Sequence, residues 1–292
     1  MSNNKQIKIK LQGHEKFALR EGWLNKGLVM VDKDPLVFQG KYGPDVFGIG
    51  SNMVKSLRYW LKAFGLISEN VAKGAHLTEL GKIILKYDPY FEDLYTIWLL
   101  HSNIAKNIEE ATSWYMFFNR IEVEEYEKEQ IFFLLNREIE KYTNGSSFSE
   151  NSVKNDLDVL VNMYSKSKII SDPEDKNTSP FSQLNLIKCI DGKYKKIHPD
   201  KNIINEWIVL YELACMLENK DFISIEDAIY GEKGFAKIYQ LNAVSANEMF
   251  DRLENLDLIR INRTAGLDVI YKTKDLVALD VIEEYYNRED KE

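Results

Sequence analysis

The chain has 292 residues, 45% of them hydrophobic, with 38 Lys/Arg against 46 Asp/Glu and a formal net charge of −8. This length suits two domains or one elaborated domain, and 16 Tyr, 14 Phe and 5 Trp belong to a folded core, which excludes long disorder outside the Lys/Glu-rich ends. No apolar run approaches the ~20 residues of a membrane span, and the opening MSNNKQIKIK has no apolar centre for a signal peptide, so a cytoplasmic protein is expected.

Residues 1–86 hold 14 Lys/Arg and 7 Asp/Glu, a surplus of +7 that leaves −15 for the rest of the chain. A polyanion is attracted to one end of such a molecule and repelled by the other, so the first third is the expected binding face. Within it, GHEKFALREGW offers a base, a carboxylate and cations in His14, Glu15, Arg20 and Lys16. Those residues suit phosphodiester chemistry, or a turn that fastens an N-terminal strand, with Arg20 and Lys26 holding phosphate.

YGPDVFG reads as one short helical turn and GIGS as a tight connection. From Ser51 or Asn52 as N-cap, Met53, Leu57, Trp60, Leu61 and Phe64 form an apolar helical stripe, with Lys55, Arg58, Tyr59 and Lys62 opposite and Gly65 at the exit. LISENVAKGAHLT then predicts a strand, a tip at Lys73 and Gly74, and a return strand, followed by a helix from Glu79. Short helix, turn, longer helix and hairpin make the sequence shape of a winged helix-turn-helix. On that reading Lys55, Arg58, Lys62, Lys73 and Tyr59 meet phosphates, and Asn52 and Ser56 meet base edges. The plainer reading is a solvated charged face.

Residues 88–218 read as a central helical domain whose aromatic residues at helical spacing are core rather than base-stacking platforms. In DPYFED, Asp88, Glu92 and Asp93 either share a divalent ion or form an N-cap with first-turn acids. SDPEDKNTSPFSQ is the expected long loop. Cys189 and Cys215 belong to no CxxC or Cys/His cluster, and His76, His101 and His198 are scattered, so both thiols are expected buried and inert.

Residues 219–292 repeat the plan of the first third: two helices, a turn at 241–244, a longer helix, the exit LDLI, and a hairpin from LIRIN and LDVIYK turning at Thr264, Ala265 and Gly266. Arg260, Arg263 and Lys272 make this second wing basic, whereas Glu248, Asp251, Glu254 and Asn255 share the outer face of its helix with Arg252. DNA contact through the wing and contact with protein both stay open. The expected fold is mainly α with small β-hairpin wings (α+β), in domains 1–87, 88–218 and 219–292.

GHEKFALREGWLNKG, GIGSNMVKSLRYWLKAFGLI, LTELG, DPYFEDLYTIWLLH and TSWYMFFN together resemble a bacterial family labelled a domain of unknown function, the SspB-like proteins of DNA phosphorothioation and phage-defence clusters. The likeness runs over about residues 11–190. It implies a protein that engages DNA while a phosphate oxygen is replaced by sulfur, alongside a sulfurtransferase resembling phosphoadenosine-phosphosulfate reductase, an ATPase and a cysteine desulfurase. It further implies strand nicking with Mg2+ or Mn2+, although no PD-(D/E)xK, HNH or HUH pattern is present. A non-enzymatic adaptor and a dimeric transcriptional regulator are the other expectations.

Overall fold

The computed structural model describes residues 7–40, 42–165, 179–200, 203–232, 234–264 and 266–289. Helices alternate with short antiparallel strands, an α+β arrangement.

The first third contains α1 (Trp23–Lys33), α2 (Gly43–Phe47), α3 (Ser51–Ala63), β1 (Ile67–Asn70), β2 (Gly74–Leu77) and α4 (Glu79–Tyr87). The expected stripe is the buried one: Leu57, Trp60, Leu61 and Phe64 are covered, with Met53 partly so. The helix starts one residue early, because extended Gly50 rather than Ser51 or Asn52 occupies the N-cap, without a side-chain hydrogen bond. At its exit Gly65 takes φ 71°, so Leu66 N–H reaches back to the Leu61 carbonyl at 2.9 Å and turns the chain into β1. α1 crosses close over α3, where a Cβ on Gly27 would lie 2.7 Å from Leu61 Cδ1.

β1 and β2 pair from Ile67↔Leu77 to Asn70↔Gly74, leaving residues 71–73 as the tip. The hairpin is pinned from below. Ala75 N–H donates to the Pro35 carbonyl at 2.8 Å, and Gly74, at φ 82°, lies where a Cβ would be 2.2 Å from that oxygen.

The middle contains α5 (Leu94–Lys106), α6 (Thr112–Asn119), β3 (Tyr126–Glu127), α7 (Lys128–Tyr142), α8 (Glu150–Ser165), a 3-10 turn (Pro180–Leu184), β4 (Ile187–Ile190), β5 (Lys193–Lys196) and α9 (Glu206–Met216). Trp98, Trp114, Tyr115, Phe117 and Phe118 are core, as their spacing predicts. The three-stranded sheet β3-β5-β4 is an addition to the expected helices. Most of the expected loop SDPEDKNTSPFSQ lies outside the described residues. Cys189 is exposed, contrary to expectation, because it sits on edge strand β4; burial pushes the half-buried Cys215 thiol up.

The last segment contains β6 (Phe222–Ser224), α10 (Ile225–Tyr230), α11 (Phe235–Tyr239), α12 (Ala243–Asn255), β7 (Ile259–Thr264), β8 (Leu267–Lys272) and α13 (Ala278–Glu289). β7 and β8 pair up to Thr264↔Leu267, a two-residue connection of which Ala265 is outside the described residues, and β6 adds a third strand in the order β6-β8-β7. Asp257, at φ 56°, makes the same exit as Gly65, with Leu258 N–H on the Leu253 carbonyl at 3.0 Å. α13 returns to the body: Tyr286 stacks on Tyr87 at 5.3 Å and Tyr285 on Tyr95 at 3.8 Å. Buried side chains from all three segments therefore form one hydrophobic cluster.

Candidate nucleic-acid interface

One side of α3 is open. Ser51, Asn52, Lys55 and Arg58 are exposed, and Lys62 is half-buried, a row rising one helical turn at a time. The row begins at a helix N-terminus that lacks a side-chain cap, where free backbone amides and the helix dipole favour an anion. Lys55 Nζ donates to Asn52 Oδ1 at 3.3 Å, an exposed contact that water or phosphate can replace. Lys73 and Val71 stand exposed at the tip of the adjoining β1–β2 hairpin.

The cations further along α3 are engaged by the β1–β2 hairpin itself. Arg58 Nε and Nη2 hold the Glu69 carboxylate at 2.5 and 3.0 Å, and Lys62 Nζ lies 3.5 Å from its Oε2. Exposed pairs of this kind contribute about 0.2–1 kcal/mol, so a DNA phosphate, which draws in counterion release, competes with Glu69 on even terms or better.

Two residues expected on this face are elsewhere. Ser56 is buried with its Oγ 3.4 Å from the Phe17 carbonyl, and Tyr59 is buried edge-on to His14. The cause is residues 11–19, which run along the side of α3 opposite α1; the Tyr59 ring lies so close to Gly13 that a Cβ there would be 2.3 Å from it. Neither side chain can reach a nucleic acid in this arrangement.

The expected catalytic group is also redirected. His14 has no exposure; its Nδ1 accepts from Lys16 N–H at 3.1 Å, which places the proton on Nε2, 2.8 Å from Asp156 Oδ1. Asp156, on α8, also accepts from Gln12 N–H at 2.8 Å and from Ser113 Oγ at 2.6 Å. The turn at 12–16 is real, and it fastens the N-terminal segment to α8. Glu15 is half-buried at φ 48°, while the half-buried Arg20 guanidinium lies over the Trp23 ring at 5.6 Å. Lys26 donates to the Phe47 carbonyl and so closes the C-terminus of α2.

Asp88 and Asp93 serve helix ends. Asp88 ends α4, and its carboxylate accepts from Glu92 N–H at 2.9 Å, Asp93 N–H at 3.2 Å and Thr96 Oγ1 at 2.5 Å. Asp93 caps α5 by accepting from Tyr95 N–H at 2.8 Å. The expected N-cap at Asp88 is thus at Asp93, since the chain makes a turn with Phe91 at φ 59° before α5 begins. Among the described residues no group of three or more His, Cys, Asp or Glu comes together as a metal site.

In the last segment Arg263 is held by Asn247 and Asp251, each at 3.1 Å, and Lys272 lies 3.9 Å from Asp221 and 3.8 Å from Asp275. Arg260 is exposed without an ion pair among the described residues. The basic strand side chains are thus largely neutralised by acids on the same segment, and the N-terminal row is the stronger surface for a polyanion.

A second concentration of charge went unread in the sequence: the β4–β5 hairpin, IKCIDGKYKK, carries Lys188, Lys193, Lys195 and Lys196. Asp191 and Gly192 both have φ > 0, at 50° and 78°, and Ile190 pairs with Lys193. Asp-Gly between two alternating segments is the signature of such a two-residue hairpin and was the signal to find it by.

No described helix is long and apolar enough to cross a membrane. No curated protein matches the chain. Among solved structures, a magnesium-ion-bound SspB superimposes with a TM-score of 0.85 at 21% identity, covering 97% of this chain and 89% of the other. A second SspB structure gives 0.84 at 22% identity with the same coverage. The likeness is one of fold. Residues 11–286 match the family described as "Protein of unknown function (DUF4007)", well past residue 190, where the resemblance read from the sequence ends, and the chain belongs to that family.

Proposed function

We propose that the protein is a DNA-binding component of a phosphorothioation system, reading double-stranded DNA with the first third of the chain as a winged helix. The observation that carries the reading is the row of exposed Asn52, Lys55 and Arg58 with half-buried Lys62 on α3, flanked by the β1–β2 hairpin with Lys73 at its tip. The surplus of +7 in residues 1–86 supports it, as does the fold shared with SspB structures. Asn52, at the helix N-terminus, is placed to meet base edges; Lys55 and Lys73 take phosphates directly; Arg58 and Lys62 take them by leaving Glu69. The acidic remainder of the chain keeps the contact oriented and offers a surface to the sulfurtransferase, ATPase and cysteine desulfurase that the family association implies.

Fluorescence anisotropy with a labelled duplex, titrated with salt, tests this. Parent protein is expected to bind at low salt, and Lys55→Ala and Lys73→Ala each to reduce the log–log salt slope by about 0.9. Absence of binding in dilute buffer, or slopes identical to the parent, refutes it.

A nicking role is a second reading, favoured by the magnesium ion in one SspB structure of the same fold. It predicts that purified protein converts supercoiled plasmid to open circles with Mg2+ or Mn2+. Retarded but uncut plasmid across both metals selects the adaptor role instead.

A further inference from the structure

A cleft away from α3 lies between the β4–β5 hairpin, the 118–126 segment and α10–α11, with a volume of about 1090 Å3. Its composition is unusual in three respects. Lys188 and Lys195 from the hairpin and Lys237 from α11 line it without an ion pair among the described residues. Glu122 and Glu124 also line it, on the segment beside β5 whose Val123 carbonyl accepts from Lys196 N–H at 2.9 Å. Gln240, 7% exposed, is also in the lining, and its Oε1 and Nε2 both lack a hydrogen-bond partner in the protein.

Gln240 breaks two local rules at once. It is the residue that ends α11, at φ 54°, with Leu241 N–H on the Ala236 carbonyl at 2.8 Å. At the corresponding place before α3 the chain uses Gly48, φ 61°, the residue that accepts this conformation without strain. A side chain in the left-handed region, with a buried amide that nothing satisfies, is costly on both counts. His198 adds to the outlay of structure here by donating its Nδ1–H to the Gln240 carbonyl, which holds the backbone of this residue in place. Such violations gather where a ligand completes the structure.

We propose that this cleft binds a single unstacked nucleotide, its base edge paired with the Gln240 carboxamide and its phosphate held by Lys188, Lys195 and Lys237. A carboxamide presents a donor beside an acceptor, which matches the edge of a base and most directly adenine. Tyr126 and Tyr230 line the same cleft and offer ring faces for stacking. Glu122 and Glu124 disfavour a continuous run of phosphates and accept from an exocyclic amine, which limits the occupant to one or two nucleotides and excludes a duplex. A peptide would satisfy the carboxamide, but it would need an acidic side chain for the lysines, whereas a nucleotide carries anion, donor–acceptor edge and ring in one unit. The site does not depend on the α3 reading.

The test is anisotropy of labelled single-stranded tetranucleotides of each base, and of an abasic tetranucleotide, with the full chain as parent, Gln240→Met and the triple Lys188→Ala/Lys195→Ala/Lys237→Ala. Parent is expected to prefer one base over the abasic strand. Gln240→Met should lower that affinity at least tenfold, to the abasic level, with an unchanged or higher thermal midpoint, since removing an unpaired buried amide relieves the native state. The triple variant should lose about 0.7 from the salt slope, or about 1.4 where two phosphates occupy the cleft, at about 0.7 per single-strand phosphate contact. Equal binding of abasic and base-bearing strands, unchanged binding by Gln240→Met, or a cleft that takes a mixed-charge peptide and no oligonucleotide would overturn the assignment. Duplex titrations on the same parent report separately on α3: base-selective tetranucleotide binding with flat duplex curves fails that reading alone, and the converse fails this one alone.

Discussion

On the proposed reading Glu69 and DNA compete for the cations of α3, which gives a prediction of unusual direction, in which a mutation strengthens binding. Glu69→Gln keeps the shape of the side chain and one acceptor but removes the charge that holds Arg58 at 2.5 and 3.0 Å and Lys62 at 3.5 Å. Arg58 is 44% exposed and Lys62 33%, so the pair sits in screened surroundings, and about 1 kcal/mol is the upper end for what DNA must overcome to replace it. Removing that cost raises affinity by about fivefold. Two cations freed from an intramolecular carboxylate also neutralise phosphates more completely, which steepens the log–log salt slope by up to about 1.8. Between 50 and 200 mM salt each full contact is a factor of about 3.5, so the variant should lose up to about tenfold more affinity than the parent over that range. Anisotropy with a labelled duplex at four or five salt concentrations measures both quantities. An affinity that stays level or falls, with an unchanged slope, refutes the claim that Arg58 and Lys62 face DNA.

Other outcomes follow from side chains turned inward. Ser56→Ala and Tyr59→Phe should leave duplex affinity within about twofold of the parent, because both side chains are covered by residues 11–19; a larger loss on the same titration would mean that this segment moves aside. His14→Ala should cost about 3–5 kcal/mol, since it removes the buried partner of Asp156 and leaves that carboxylate short of a donor; calorimetry should show a midpoint lower by roughly 6–20 °C, and an unchanged midpoint would contradict the anchoring role. His101 is buried with Nε2–H on the Ile238 carbonyl and Nδ1 on Tyr164 OH, both at 2.8 Å, and burial pushes its pKa down to about 3. The unfolded chain takes up this proton below about pH 6.5 and the native state does not, so stability falls by about 1.4 kcal/mol per pH unit from there towards pH 3. Denaturant titrations at pH 7 and pH 5 should differ by about 2 kcal/mol from this group, and His101→Gln should remove that share of the difference.

Local patterns were legible wherever one residue's neighbours in sequence are also its neighbours in space. The stripe of Leu57, Trp60, Leu61 and Phe64, the left-handed Gly65 exit, and the hairpins at Lys73 and Thr264 all rest on contacts within a few residues, so periodicity and turn chemistry revealed them. Ser56 and Tyr59 were misplaced for the same reason. A helical wheel assumes one buried face, and α3 has a second one, created by a segment some forty residues earlier in the chain. His14 and Asp156 are 142 positions apart, and no spacing rule predicts their bond.

The order of charge along the chain was settled by sequence alone: a basic first third, an acidic remainder, and a helix whose cations recur every turn. Only the tertiary structure decided which of those cations are free. Glu69 on the β1–β2 hairpin reaches Arg58, acids on α12 and in the flanking loops neutralise cations of the β7–β8 hairpin, and Lys188, Lys195 and Lys237 line one cleft with Gln240. The physical reason is that electrostatic partners are chosen by distance in space, over a few ångströms, and a linear sequence records that distance only for residues already close along it.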